Sequence, residues 1–294
     1  MSATGRIAAF AAVVALVSGG AAVAGGAIDP KGAEQNPAPH NDAHPARSGD
    51  EPMNAHGNTH GGTAEKPRPV RGLAVAEQDL RVVVDDPELR RGRAETLRFR
   101  IVDASDRTVR DFDVEHERRM HLILARRDLT GFQHLHPEQG QDGVWSVEVK
   151  VDEPGSYRLF ADFAHEGDSY TLASDLRVDG AADLRPLPEP ETDAVSDGGY
   201  DVRLSAGDVH PGEEAELRFE ISRDGKPVKV EPYLGAGGHL VALREGDLAF
   251  LHVHPTGDGT DFAATFPTRG NYRLFLQFKH AGRVQTVAFT QEVD

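Results

Sequence analysis

The sequence predicts an all-β chain with two tandem antiparallel β-sandwiches of the Ig-like or cupredoxin-like kind. The first observation behind this prediction is a series of short segments of alternating polarity, which turn signals separate roughly every 8–12 residues. The second observation is that the series occurs twice, because the stretch around His239 repeats the stretch around His121 after 118 residues (239 minus 121). That period is far too long for a solenoid and indicates a duplicated domain.

The first repeat contains the seven strands that an Ig-like sandwich requires. The predicted strands cover residues 80–84, 96–101, 119–126, 132–136, 144–151, 157–164 and 170–178. In the second repeat, residues 217–221 match residues 97–101, and residues 270–275 match residues 155–160. The two repeats are therefore predicted to be copies of one sandwich.

Composition divides the chain into five predicted parts. Arg6 precedes an apolar run that begins at residue 7, and residues 22–24 fit a small-residue cleavage site, as in an export signal. Because the apolar run approaches the roughly 18 residues of a marginal membrane span, an uncleaved anchor is the alternative. The parts are a signal peptide or N-terminal membrane anchor (1–25), a disordered His-rich linker (26–70), the first sandwich (71–180), a Pro-rich linker (181–194) and the second sandwich (195–294).

Charge and cysteine content exclude several classes of function. The net charge of −16 argues against nucleic acid and anionic membrane surfaces as partners, since both are bound by basic patches. The chain has no cysteine, which excludes disulfides, thiolate metal sites, blue-copper centres and thiol catalysis. Together with the signal, this composition predicts a secreted or extracytoplasmic protein, with anchoring by the N-terminal apolar segment as the alternative.

Eight of the fourteen histidines form two matched sets of four, and they are the candidate metal ligands. The sets are His121, His134, His136 and His165 in the first repeat and His239, His252, His254 and His280 in the second. Each set contains a His-x-His-Pro stretch, and residues two apart in a strand point to the same face with Cα atoms roughly 7 Å apart. Each stretch is therefore predicted to be a chelating pair.

Hairpin geometry adds a third histidine to each pair. In the first repeat, the loop formed by residues 127–130 is predicted to set His121 opposite His136. In the second repeat two registers remain open, and they set His239 opposite either His252 or His254. The fourth histidine of each set ends the apolar face of the closing strand, and it is predicted to lie at one rim, in the site or beside it.

Two interpretations of these sets remain open. A buried histidine is usually a neutral side chain that is hydrogen-bonded to backbone. Several adjacent imidazoles, however, need a shared partner for their ring nitrogens, and a metal ion supplies one. Imidazole binds both copper and zinc. Copper is the predicted metal and zinc the alternative, because the affinity order places Cu²⁺ above Zn²⁺ for a given nitrogen site. The linker histidines either hold metal loosely or are ordinary polar residues, and they are His40, His44, His56 and His60.

The stretches 119–137 and 238–255, with the Tyr-Arg-Leu-Phe strands, resemble a family of exported actinobacterial proteins. Members of that family carry an N-terminal apolar segment, a His-rich linker and two His-x-His-Pro repeats, and the resemblance extends from residue 75 to the end. The chain is also similar to small periplasmic β-sandwich proteins associated with copper handling. This similarity implies a metal ion as ligand and a membrane or cell-surface metal-handling protein as partner.

Three functions follow as hypotheses. The first is a non-enzymatic, extracytoplasmic protein that binds or delivers a transition metal. The second is a metalloenzyme, because residues 252–259 are similar to the metal-site stretch of copper–zinc superoxide dismutases, although the disulfide cysteines and a recognisable bridging histidine are missing. The third is a tandem Ig-like interaction module on the cell surface, in which the histidines are structural.

Overall fold

In the computed structural model, which describes residues 70–251 and 253–294, every regular element is a β-strand. The predicted export signal, nearly all of the His-rich linker, and His252 lie outside the described residues. No helix in the described part of the chain is long and apolar enough to cross a membrane. The described residues belong to one compact unit that contains both repeats.

The first repeat is a sandwich of two five-stranded sheets. Its strands are β1 (Ala76–Glu77), β2 (Leu80–Val84), β3 (Glu88–Leu89), β4 (Ala94–Val102), β5 (His121–Arg126), β6 (Gln133–Leu135), β7 (Glu138–Gln139), β8 (Trp145–Lys150), β9 (Gly155–His165) and β10 (Asp168–Val178). One sheet has the order β1-β2-β4-β8-β7 and the other has the order β3-β10-β9-β5-β6. The short strand β3 pairs with β10 in parallel.

The second repeat is built in the same way. Its strands are β11 (Asp193–Val195), β12 (Asp201–Ser205), β13 (Glu214–Arg223), β14 (Lys226–Pro227), β15 (His239–Arg244), β16 (Phe250–Leu251), β17 (His254–Pro255), β18 (Asp261–Thr265), β19 (Gly270–His280) and β20 (Arg283–Val293). One sheet has the order β11-β12-β13-β18-β17, with β14 beside β13, and the other has the order β16-β15-β19-β20. The order β6-β5-β9-β10 of the first repeat recurs here as β16-β15-β19-β20, so the predicted all-β fold of two antiparallel sandwiches is confirmed.

Alternation of polar and apolar residues gives each sandwich its own core. Strand β13 alternates between exposed and buried positions along nearly its whole length, and Leu217, Phe219 and Ile221 enter the core of the second repeat. Phe99 and Trp145 lie in the separate core of the first repeat. Burying one such side chain stabilises the folded chain by about 1.5–3 kcal/mol relative to leaving it in water.

A third apolar cluster lies between the two sandwiches. Every residue of β5 is buried. Leu122 and Leu124 pack into the core of the first repeat, whereas Ile123 and Ala125 point to the opposite face and join Val241 of β15. The sheets that carry β5 and β15 therefore face each other.

Aromatic contacts across this interface are reciprocal. Phe132 stacks on Phe275 with ring centroids 4.0 Å apart, and Phe250 packs against Phe160 at 5.6 Å. Phe250 and Phe275 occupy the positions in the second repeat that Phe132 and Phe160 occupy in the first. The same contact is thus made twice with the repeats exchanged, as in the isologous interface of a twofold dimer.

Candidate metal centre

Three histidines of the first repeat come together at the edge of this interface. His121 begins β5, His134 lies in β6, and His136 follows β6 directly. The observed register pairs Leu122 with Leu135, so the next position along the hairpin sets His121 opposite His136, as the loop length predicts. Since opposite residues share a face, the hairpin projects all three imidazoles to one side.

The three side chains form a candidate group of metal ligands. Each offers a ring nitrogen, and these nitrogens all lie within 4.8 Å of one another. His121 Nδ1 and His134 Nε2 are 3.0 Å apart. Two nitrogens bound to one ion at about 2.0–2.1 Å lie about 2.9 Å apart at a right angle and about 3.3 Å apart at a tetrahedral angle. The observed separation is therefore that of two ligands in one coordination sphere.

The hydrogen bond on the far side of each ring determines whether the nitrogen that faces the other ring carries a proton. His121 Nε2 donates to the carbonyl oxygen of Glu115 at 3.1 Å, which leaves Nδ1 of a neutral ring without a proton. His134 Nδ1 donates to Gln277 Oε1 at 2.7 Å, which leaves Nε2 without a proton. In this arrangement two lone pairs face each other at 3.0 Å, and a cation between them would relieve the repulsion.

Protonation of these rings is disfavoured. Burial, followed by the proximity of His121 and His136, lowers the pKa of His134 to about 3. Burial and the neighbouring His121 lower the pKa of His136 to about 4. Burial also lowers the pKa of His121, against the opposing effect of the Asp162 carboxylate. A metal ion, which binds neutral imidazole, fits this environment better than a proton does.

One ring nitrogen of His136 has no hydrogen-bond partner among the described residues. His136 Nε2 is fully enclosed, although its side chain as a whole is only partly buried. An unpaired buried ring nitrogen costs about 1–3 kcal/mol. Coordination by His136 Nε2 would recover that cost, so the donor set fits a transition metal.

The second repeat contributes one predicted ligand to this cluster. The ring of His239 lies 4.7 Å from that of His134 and 5.5 Å from that of His121, measured between centroids. Burial, followed by the nearby His134 and His121, lowers the pKa of His239 well below its usual value. His116 completes the group, with its ring 5.7 Å from His239 and 6.1 Å from His121.

The structure does not bring the fourth histidine of either set to the cluster. His121 pairs with Asp162 of β9, and His239 pairs with Gln277 of β19. Asp162 and Gln277 therefore lie on the face of the sheet that carries the cluster, as do residues an even number of positions away from them. His165 and His280 each lie three positions further along the strand, an odd number, and therefore point to the core face. Of the two predicted positions for the fourth histidine, in the site or beside it, this strand register excludes the first.

Both of these histidines have local partners instead. His165 Nδ1 donates to the carbonyl oxygen of Asp111 at 2.8 Å. His280 Nδ1 is 2.8 Å from the hydroxyl of Tyr200, which accepts a hydrogen bond from Arg223. These contacts are those of structural side chains.

The expected second site does not form among the described residues. The register of β15 and β16 would set His239 opposite position 254, but β16 ends at Leu251. His254 belongs to β17 and pairs with Ala263 in the other sheet, where it is exposed. His252 lies outside the described residues, and within them the only group of three candidate ligands is the one from the first repeat.

Two residues of the cluster are not predicted from the sequence. His116 has no counterpart in the second repeat, so the matching of repeats gives no signal for it. Gln277 is a polar residue on the apolar strand β19, and only the docking of the two repeats brings it to His134. An isolated polar residue that alternates with apolar ones is ordinarily interpreted as the solvent face of a strand.

Fold and cluster together define a class of protein, in which two Ig-like β-sandwiches enclose a histidine cluster between them. The chain belongs to the family of a domain of unknown function, DUF8832, whose model matches residues 74–180 and again residues 193–294. A comparison with curated proteins found no match.

The chain also has remote structural neighbours. Salmonella alpha-2-macroglobulin reacted with methylamine is similar with a TM-score of 0.28 and 14% identity, over 76% of this chain and 15% of that one. The Escherichia coli adhesin FdeC is similar with a TM-score of 0.27 and 16% identity, over 75% of this chain and 66% of that one. The chain thus spans less than a sixth of the macroglobulin, and neither similarity bears on the site.

Proposed function

We propose that this protein is an exported, non-enzymatic binding or delivery protein for a divalent transition metal, held by His121, His134 and His136. The observation that carries the proposal is the pair of facing ring nitrogens 3.0 Å apart, with the enclosed His136 Nε2 beside them. The geometry supports one centre per chain, at the interface of the repeats, rather than one in each repeat. A membrane or cell-surface metal-handling protein is the proposed partner.

Copper is the preferred ion and zinc the alternative. The donor set consists of imidazoles alone, and for any given nitrogen site the affinity order places Cu²⁺ above Zn²⁺. Outside the cytoplasm no thiol pool keeps copper as Cu(I), so a site without cysteine suits the oxidised ion.

The competing interpretation is a tandem Ig-like interaction module with structural histidines. It depends on the orientation of the Gln277 amide. If that amide were reversed, its nitrogen would donate to His134 Nδ1, and His134 Nε2 would carry a proton for His121 Nδ1. This chain of hydrogen bonds would satisfy two rings without a metal. It would leave His136 Nε2 unpaired, and for that reason the metal centre is the better account.

The test is calorimetric titration of the full chain with Cu²⁺ and with Zn²⁺ at about pH 7.5, a unit above the ordinary histidine pKa. All variants carry glutamine in place of the four linker histidines, which removes loose binding. We expect one saturable equivalent, which His134→Ala with His136→Ala abolishes. The matched control, His165→Ala with His280→Ala, keeps it. Absence of saturable binding would leave the interaction module as the function.

A further inference from the structure

The metal ligand His134 belongs to the first repeat, but its orientation is set by the second. Gln277 Oε1 lies 2.7 Å from His134 Nδ1, and both side chains are at least nine-tenths buried. Gln277 Nε2 in turn donates to Thr286 Oγ1 at 3.3 Å, within the second repeat. The amide of Gln277 thus lies between the Thr286 hydroxyl and the imidazole, with its oxygen towards the imidazole.

The residue of the first repeat that is equivalent to Gln277 is Asp162, and it has different hydrogen-bonding properties. Asp162 pairs with His121 and with Thr171, as Gln277 pairs with His239 and with Thr286. The Asp162 carboxylate accepts from the Thr171 hydroxyl at 2.7 Å. A carboxylate can only accept, whereas an amide can present either an acceptor or a donor. The two side chains also differ in what they contact, because the Asp162 carboxylate accepts from Thr171 within its own sheet, whereas Gln277 Oε1 faces the ring of His134 in the other repeat.

We propose that Gln277 is a positioning residue for the metal centre, so that metal binding by the first repeat is linked to docking of the second. The argument rests on the proposed function. With Gln277 Oε1 towards the ring, His134 keeps its proton on Nδ1 and offers Nε2 to the ion. A partner that fixes the tautomer of a ligating histidine typically changes metal affinity by about 10–100-fold when it is removed. An ion that binds only the docked form also stabilises docking.

The first experiment measures Cu²⁺ affinity of full-chain variants by competition with a chelator, in the background without linker histidines. Gln277→Leu removes the acceptor, and we expect affinity to fall at least about tenfold. Gln277→Glu restores an acceptor and locks the required tautomer, so we expect it to bind at least as tightly as the parent at about pH 7.5. The control is Gln285→Leu, which replaces another buried glutamine of the same sheet. Its affinity should match the parent.

The second experiment measures hydrogen exchange of β15 and β19 with and without Zn²⁺. In the parent we expect the ion to slow exchange in these strands, although the three ligands lie in the first repeat. In Gln277→Leu at saturating Zn²⁺, protection should be confined to the first repeat. This readout would not change if Gln277 only filled space.

The outcomes separate the two proposals. If the parent binds no metal, the proposed function fails and this inference fails with it. If the parent binds metal and Gln277→Leu binds equally well, or if Gln277→Glu binds as weakly as Gln277→Leu, only the positioning role is refuted. If Gln277→Leu does not fold, the comparison of Gln277→Glu with Gln277→Met carries the same test.

Discussion

The turn that presents His116 to the cluster is strained at two consecutive residues. His116 and Glu117 have φ angles of 47° and 64°, in the left-handed region. A side chain in that region costs about 1–2 kcal/mol, and two-residue turns of this kind therefore favour glycine. The equivalent turn of the second repeat has Leu234 and Gly235 at these positions. The turn of the first repeat thus has Glu117 in place of the favoured glycine, next to the histidine that it carries.

We therefore expect Glu117→Gly to raise the free energy of unfolding by about 1 kcal/mol, because the exposed turn would be relaxed. The measurement is urea unfolding of the full chain. Gly235→Glu is the matched control, and it should lower stability by a similar amount, since no atom lies close enough to obstruct the new side chain. Metal affinity should not change in either variant. Equal stability of Glu117→Gly and the parent would contradict the assignment of strain.

Residue by residue, the sequence predicts which histidines share one hairpin face better than it predicts the complete cluster. The His-x-His pair of the first repeat and its hairpin partner follow from parity and loop length, and both are observed. His165 ends the apolar face of β9, as predicted, but His121 lies on the opposite face of the sheet. Its face relative to His121 depends on which residue of β9 pairs with β5, and that register is set by tertiary packing.

At the scale of elements, the linker between the repeats is attached to the first one by a buried ion pair. Arg126, at the end of β5, is fully buried and contacts Asp128 at 2.5 Å, with side-chain exposures of 0% and 3%. The same guanidinium donates to the carbonyl oxygen of Asp183 in the linker, and Arg185 N donates to Asp128 Oδ2 at 2.9 Å. The pair thus fixes both the hairpin loop and the start of the linker.

Asp128→Ala should lower the free energy of unfolding by about 3 kcal/mol, because it removes the closest carboxylate from the buried Arg126 charge and leaves it the more distant Glu153, at 3.8 Å. It should also speed proteolysis of the linker near Leu184. The control is Asp247→Ala, which breaks the equivalent pair with Arg244 in the second repeat. There the side chains are 18% and 42% exposed, so a loss of about 1 kcal/mol or less is expected. Equal losses in urea unfolding would show that burial does not distinguish the two pairs.

The hairpins are predictable from the sequence, but the point at which a strand changes sheet is not. In the first repeat the chain stays in the β5 sheet until Leu135, and it joins the other sheet at Glu138. In the second repeat it leaves at Leu251 and pairs in the other sheet already at His254. Four of the six residues are identical between 132–137 and 250–255, so these stretches do not predict the difference, which removes His254 from the cluster.

At the scale of the whole molecule, the two repeats pack as the subunits of a twofold dimer would, with the histidines between them. A sequence signal for this docking exists, because β5 and β15 are continuous apolar runs rather than alternating ones. Such a run is typical of a strand that is buried on both faces. The apolar run does not identify what covers the second face of the strand. Sequence alone therefore predicts two independent quartets of histidines. Docking instead brings histidines from both repeats into one cluster.

Merging several imidazoles at a buried interface makes the stability of the metal-free protein depend on pH. The pKa values of His121, His134, His136 and His239 are all lowered, chiefly by burial. Below about pH 6.5 the unfolded chain therefore binds protons that the folded chain does not. Stability is lost as the pH falls from about 6.5 towards 4, by at most about 1.4 kcal/mol per pH unit for each histidine. Above that range these residues contribute no pH dependence.

The prediction is checked by urea unfolding in the presence of a chelator at several pH values between about 7.5 and 5, on either side of the ordinary histidine pKa. We expect His134→Gln to reduce the slope by about 1.4 kcal/mol per pH unit, the share of one histidine. Zn²⁺ at 100 times its dissociation constant should add about 2.7 kcal/mol at the upper end. Most of that gain should persist at the lower end of this range, because the lowered pKa values keep the ring nitrogens of the folded chain free of protons there. A parent stability that is flat across this range would mean that the histidines are hydrated and protonate freely, and that the two repeats do not enclose them in solution.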